Sequence, residues 1–182
     1  MVLKNKKVVL GVTGSIAAYK APDIVRRLQD QGAVVSVIMT KEAQEFITPL
    51  TFESLTQTKV GLDMFARKEV FSYIQHIRFA QEADILLIAP ATANIIGKIA
   101  SGIANDLLTC TALAVKAPIM IAPAMNDAMF HNNIVQDNCK KLKQYGVKII
   151  DPVKGLLACG TEGEGHLAEV DIIVEAVEKI FL

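Results

Sequence analysis

The chain of 182 residues contains no tryptophan, only three cysteines and no excess of charge of either sign. Because 19 basic residues balance 19 acidic ones, the composition does not favour nucleic-acid binding. Three widely spaced cysteines form neither a disulfide framework nor a zinc motif, and no metal is implied. No apolar run approaches the roughly 20 residues of a membrane span, and no signal-peptide pattern is present. We therefore expect a cytoplasmic protein that binds neither nucleic acid nor membrane.

Aliphatic residues dominate the composition. The sequence is 52% hydrophobic but only 5% aromatic. This excess fits parallel strands that are covered on both faces, and it also fits an oligomer with buried interfaces. A chain of this length suits one domain with a sizeable core, so we treat residues 1–182 as a single domain.

Short apolar runs alternate with helical patterns along the chain. Five runs are predicted to be buried strands: Lys7–Val12, Val34–Met39, Ile85–Ala89, Pro118–Ala122 and Val147–Ile150. Helical patterns separate the runs, except that Thr48–Tyr73 is less regular. Continuous apolar strands between helices are typical of parallel sheets. We predict an α/β fold, with a three-layer, doubly wound parallel sheet of the Rossmann or flavodoxin-like kind.

Small and polar residues follow the first two predicted strands. Gly14 and Ser15 open a helix after the first strand, and Thr40 follows the second. Ligands bind at the carboxyl ends of strands in such sheets, and a helix start favours phosphate. A tight strand-to-helix turn explains Gly14 and Ser15 equally well, and an ordinary helix cap is the better explanation of Thr40 alone.

Two further strand ends carry polar side chains. Pro90–Asn94 combines small residues with Thr92 and Asn94, and Pro123–Asn126 ends in an asparagine. Small residues admit a flat ring or a second backbone, and the Asn126 amide can recognise a carboxylate or an amide. Caps and turns formed by Thr92 and Asn126 are the alternative explanations.

The segment Gly155–Ala168 places Cys159 among four glycines, after an apolar run and before the final helix. Ordered glycines cost conformational entropy, so this composition indicates a flap whose cysteine takes part in chemistry. Cys110 is interpreted as a buried apolar residue, and Cys139 as an incidental residue on a polar helix. A lone histidine such as His76 is more often a surface residue than a catalyst.

Five of these segments together resemble the flavin-containing cysteine decarboxylases. They occur in the family's order and cover nearly the whole chain: Gly14–Lys20, His76–Ile77, Pro90–Asn94, Pro123–Asn126 and Gly155–Ala168. They are most similar to the members that act on phosphopantothenoylcysteine in coenzyme A biosynthesis. The resemblance implies bound FMN and a homotrimer or a trimer-based dodecamer, with FMN at a subunit interface.

The same resemblance assigns roles to individual residues. His76 would be a base-like catalytic residue, Asn126 would bind the substrate carboxylate, and Cys159 would donate a proton. The FMN phosphate would lie near Gly14, Ser15 and Thr40, while the Pro90–Asn94 loop would come from a neighbouring subunit. The full expected cofactor set is Gly14, Ser15, Ile16, Thr40, Pro90, Ala91, Thr92 and Asn94, and the substrate set is Ala124, Met125, Asn126 and His166.

The implied reaction is that of a carboxy-lyase. Oxidation of the substrate thiol to a thioaldehyde creates an electron sink, loss of carbon dioxide leaves an enethiolate, and Cys159 protonates it. One residue departs from the family pattern, which has arginine where this chain has His166. Histidine is shorter and only partly charged near neutral pH, so substrate affinity could differ.

Other readings remain open at this point. A peptidyl-cysteine decarboxylase would share FMN, His76 and Asn126, and a flavin prenyltransferase would share the fold but would not need Cys159. A regulatory subunit without activity is the remaining class. The chain is either a free-standing enzyme or a part of a fusion with a ligase domain.

Overall fold

The computed structural model describes residues 1–65, 74–156, 160 and 162–182. The strands are β1 Lys7–Val12, β2 Val34–Met39, β3 Ile85–Ala91, β4 Ile119–Pro123, β5 Lys148–Ile149, β6 Val153–Leu156 and β7 Glu162–His166. The helices are α1 Ala21–Asp30, α2 Pro49–Thr56, α3 Gln75–Glu82, α4 Ala93–Ala100, α5 Leu107–Ala114, α6 Asp127–Phe130, α7 Asn133–Gln144 and α8 Val170–Glu178. Two 3₁₀ helices span Ile16–Lys20 and Glu42–Glu45.

The main sheet of the described chain is parallel throughout. Its five strands lie in the order β2-β1-β3-β4-β5, so the chain moves outward from β1 in one direction and then in the other. Apolar strands that are covered on both faces favour this arrangement, and every residue of β3 is buried. The predicted α/β class and parallel sheet are confirmed.

Helices cover both faces of this sheet and create two apolar clusters. Ile24 of α1, Phe52 of α2 and Ile173 of α8 belong to the cluster on one face. Phe79 of α3 and Leu108 of α5 belong to the cluster on the other. The molecule therefore has three layers, as predicted.

Two segments differ from the sequence-based expectation. The irregular stretch after Thr48 contains α2, which begins at Pro49 and ends where Gln57 adopts a left-handed conformation (φ 55°). The glycine-rich segment contains an antiparallel hairpin of β6 and β7. Cys159, its predicted proton donor, lies outside the described residues. Glycine and glutamate have low strand propensity, so β7 gives little sequence signal.

The interpretations of two cysteines are reversed. Cys139, expected to be incidental on a polar helix, is 6% exposed and packs in the core. Cys110 is only half-buried, with its Sγ 3.2 Å from the Met64 Sδ. Burial raises the pKa of both thiols. Neither thiol therefore offers a reactive thiolate near neutral pH.

Across the described ranges, no helix combines the length and apolar character that crossing a lipid bilayer requires. The expected cytoplasmic location stays a prediction.

Candidate functional site

A cavity of ≈ 740 Å³ lies at the carboxyl edge of the parallel sheet. Its walls come from the segments that follow β1, β2, β3 and β4, together with the carboxyl end of β7. Parallel strands all end at the same edge, so residues far apart in sequence converge there. The volume is within the range of roughly 300–1,000 Å³ that small-molecule sites occupy.

Thr13 connects two walls of this cavity. Its hydroxyl donates to the Pro90 carbonyl oxygen at 2.7 Å and accepts from the Thr92 N–H at 3.1 Å. The Thr13 residue is 1% exposed. A single buried hydroxyl therefore ties the end of β1 to the end of β3.

Three hydroxyl residues at strand ends act as helix caps. Ser15 Oγ accepts from the Ala17 N–H at 3.3 Å, and Thr40 Oγ1 accepts from the Ala43 N–H, also at 3.3 Å. Thr92 similarly caps α4. The capping explanations are thus confirmed, yet all three residues also line the cavity. Capping orients each side chain at the cavity wall.

Gly14 is required by close packing. A Cβ atom at this position would overlap the Glu42 side chain and meet the Glu42 backbone at 3.2 Å. The turn after β1 therefore packs directly against the 3₁₀ helix that follows β2. Any larger residue would separate these two cavity walls.

The hairpin is anchored to the segment that follows β4. The Met125 N–H donates to the Gly165 carbonyl at 3.0 Å, and the Glu164 N–H donates to Asp127 Oδ1 at 2.7 Å. Asn126 caps α6 by accepting from the Ala128 N–H at 2.9 Å. These contacts bring the carboxyl end of β7 beside Asn126.

Two charged pairs in the cavity wall were not foreseen. Lys98 Nζ lies 2.9 Å from Asp106 Oδ2, and Lys20 Nζ lies 3.1 Å from His166 Nε2. Partial burial raises the pKa of Asp106, but the hydrogen bond from the Thr109 N–H and the Lys98 ion pair outweigh it, so this pKa lies below its ordinary value of 3.8. Only the known proximity of Lys20 to the Gly14–Ser15 turn could have signalled any of these residues.

Most of the expected site residues meet in one chain. Those that line the cavity are Gly14, Ser15, Ile16, Thr40, Thr92, Asn94, Ala124, Met125, Asn126 and His166. Pro90 and Ala91 do not line it, because they are buried in β3. One expectation is corrected: the Pro90–Asn94 loop need not come from a neighbouring subunit, since Thr92 and Asn94 face the same cavity as Ser15 of their own chain.

His76 lies apart from this cavity. It is on α3, which packs against α5, and it is not among the cavity-lining residues. Its Nδ1 is buried without a hydrogen-bond partner in the described part of the chain. A buried unpaired ring nitrogen is unfavourable, so it indicates a contact that the single chain does not supply.

No group of three or more potential metal-ligating side chains occurs within the described ranges. Asp127, His131 and Glu164 come nearest to such a group, with both carboxylates 3.5 Å from His131 Nε2. These three residues connect α6 to the hairpin.

Sequence comparisons identify full-length similarity to one family. A family model described as "Flavoprotein" matches residues 2–182. The "Coenzyme A biosynthesis bifunctional protein CoaBC" of Bacillus subtilis (strain 168) is 48% identical over 179 residues, which are 98% of this chain but 44% of that protein. The chain thus spans less than half the length of such bifunctional relatives. The "Probable phosphopantothenoylcysteine decarboxylase" of Streptococcus mutans serotype c (strain ATCC 700610 / UA159) is 42% identical, with 96% of this chain and 98% of that protein covered.

Solved structures share the fold over nearly the entire chain. A PPC decarboxylase mutant complexed with pantothenoylaminoethenethiol has a TM-score of 0.88 at 31% identity, covering 98% of this chain and 99% of that one. The FMN-dependent cysteine decarboxylase SpaF has a TM-score of 0.86 at 31% identity, covering 100% and 97% respectively.

Proposed function

The chain belongs to the flavoprotein family, and on that premise we propose that it is an FMN-dependent phosphopantothenoylcysteine decarboxylase. It would convert phosphopantothenoylcysteine to phosphopantetheine in coenzyme A biosynthesis. The observation that carries this proposal is the convergence of Ser15, Thr40, Asn94 and Asn126 on one cavity. The names of the relatives from Bacillus subtilis and Streptococcus mutans support the choice of substrate.

The cavity fits a phosphorylated flat cofactor. Ser15 and Thr40 present backbone and hydroxyl groups suited to a phosphate, while Thr92 and Asn94 offer polar groups to a ring. Gly14 permits the tight turn that creates this wall. FMN, when bound, supplies reversible two-electron oxidation of the substrate thiol.

The protein's own residues bind the substrate and move protons. Asn126 would hold the substrate carboxylate, with its backbone oriented by the cap of α6 and by the neighbouring bond from Met125 to Gly165. Cys159 would protonate the enethiolate that remains after carbon dioxide leaves. His76 would transfer a proton or stabilise charge near the substrate.

Self-association would bring His76 to the site. Because His76 lies outside the cavity of its own chain and its Nδ1 has no partner in the described part, we assign it to the cavity of a neighbouring chain. The assembly would be a homotrimer or a trimer-based dodecamer. Co-expression of His76→Asn and Asn126→Asp chains tests this, since random mixing should restore about a quarter of wild-type activity. Activity that stays absent in the mixture, with both variants folded, would place each site within one chain.

The reaction is tested by anaerobic incubation of the flavin-loaded protein with phosphopantothenoylcysteine. Phosphopantetheine, identified by mass, is the expected product. Cys159→Ser should block product formation, whereas Cys110→Ser, at a half-buried thiol outside the cavity, should leave it unchanged. A flavin-loaded protein that forms no product refutes the proposal, and full activity of Cys159→Ser would favour a prenyltransferase.

A peptidyl-cysteine decarboxylase is the second candidate. The similarity to SpaF, a cysteine decarboxylase, favours it. A peptide with a carboxyl-terminal cysteine, assayed in parallel, separates the two activities, because the proposed enzyme should act faster on phosphopantothenoylcysteine.

A further inference from the structure

The Lys20 ammonium is largely enclosed in the cavity wall. Its side chain is 16% exposed, and Nζ contacts His166 Nε2 at 3.1 Å. Lys20 is the last residue of the 3₁₀ helix that begins after Ser15, and His166 is the last residue of β7. Two distant segments thus meet around one cation.

The neighbours of Lys20 leave its charge incompletely balanced. Lys98, the other lysine in the wall, lies 2.9 Å from a carboxylate that is 28% exposed. The Glu169 carboxylate is 3.7 Å from Lys20 Nζ and 63% exposed, so water weakens its attraction. A partly enclosed cation of this kind favours an anionic ligand in the cavity.

The contact with His166 requires a particular arrangement of protons. An ammonium group has donors but no acceptor, so Lys20 must donate and His166 Nε2 must accept. The imidazole is therefore neutral, with its proton on Nδ1. His166 orients the ammonium without adding a competing positive charge.

The place of Lys20 favours the substrate over the cofactor as the source of this anion. Lys20 lies at the far end of the 3₁₀ helix from Ser15, about 10 Å along its axis. His166 instead follows Gly165, whose carbonyl accepts from the residue before Asn126. The cation is thus adjacent to the proposed substrate-binding segment.

We propose that Lys20, positioned by His166, is a subsite for an anionic oxygen group of the substrate. The inference rests on the proposed function. Phosphopantothenoylcysteine has two such groups, a carboxylate and a phosphate monoester, and both would accept charge-assisted hydrogen bonds from Nζ.

The test compares Lys20→Met with wild type, with Lys20→Arg as the charge-retaining variant. Lys140→Met, on the exposed face of α7, is the matched control. For each, kcat, KM and FMN content are measured with phosphopantothenoylcysteine and with its dephosphorylated form. We expect Lys20→Met to raise KM about 10- to 100-fold with kcat nearly unchanged. Lys20→Arg should recover most of this loss.

The two substrates identify the bound group. A KM penalty that disappears with the dephosphorylated substrate identifies the phosphate, and one that persists identifies the carboxylate. An unchanged KM overturns the proposal, as does loss of FMN from Lys20→Met alone, which would assign the cation to the flavin phosphate. If wild type acts on neither substrate, the proposed function fails. Binding of inorganic phosphate by calorimetry then decides the subsite: at least tenfold weaker binding to Lys20→Met supports it, and equal or undetectable binding overturns it.

His166 is tested by what replaces its acceptor. His166→Gln keeps an acceptor near the position of Nε2, and His166→Leu removes it. The leucine variant should reproduce the KM increase of Lys20→Met, and glutamine should restore part of the affinity. Equal KM values in both variants and wild type would exclude a positioning role.

Discussion

Replacing Thr13 with valine should loosen the cavity wall, because this substitution keeps the shape of the side chain but removes its hydroxyl. The hydroxyl donates to the Pro90 carbonyl at 2.7 Å and accepts from the Thr92 N–H at 3.1 Å. Both backbone groups would lose this partner. Since Pro90 is buried, water cannot readily replace the bond there.

The expected cost follows from these two hydrogen bonds. Leaving a buried polar group unpaired costs about 1–3 kcal/mol, and Thr92 is partly exposed, so we expect Thr13→Val to lower the free energy of unfolding by about 2–4 kcal/mol. For a chain of this size, that corresponds to a fall in Tm of about 5–15 °C. Thr13→Ser, which keeps the hydroxyl, should lose less.

Urea unfolding followed by far-ultraviolet circular dichroism measures this effect, because the chain has no tryptophan to report by fluorescence. Thr111→Val is the matched control. Thr111 is also fully buried, but its hydroxyl donates at 2.7 Å to the Leu107 carbonyl, which the α-helix already pairs. A Thr13→Val effect within about 0.5 kcal/mol of the Thr111→Val effect would refute the argument.

Three further substitutions test other parts of the structure. Gly165→Ala should destabilise the hairpin more than Gly102→Ala in thermal unfolding, because both glycines have positive φ but only at Gly165 would a Cβ overlap a neighbouring carbonyl; equal losses would contradict this. Asp106→Asn should flatten the fall in Tm below about pH 4, because the lowered pKa of Asp106 contributes stability above its unfolded-state value that is lost as the pH falls through the folded-state pKa. An unchanged acid slope would count against that ion pair. Leu87→Ala, in the fully buried β3, should cost about 2–5 kcal/mol in urea unfolding, whereas Leu50→Ala, at a 67% exposed side chain, should cost far less.

The sequence was sufficient to predict the parallel sheet and most of its bounds. The first two strands were predicted at their observed positions, because a strand buried on both faces is a continuous apolar run. The motifs at the strand ends also predicted the site, since parallel strands bring these ends to one edge. Helix α2 was missed because Thr48–Tyr73 has no clear amphipathic period. The β6–β7 hairpin was missed because its glycines resemble a loop.

The pairs that build the cavity wall depended on tertiary structure. Thr13 and Pro90 are 77 residues apart, and Lys20 and His166 are 146 residues apart. Local periodicity determines where a helix or strand forms, but it carries no information about which side chains from different segments will meet. His76 shows the same division: the sequence resemblance assigned it to the site, while the folded chain positions it on α3, away from its own cavity. Sequence determined the segments and their chemistry, and tertiary packing decided which of them share one wall.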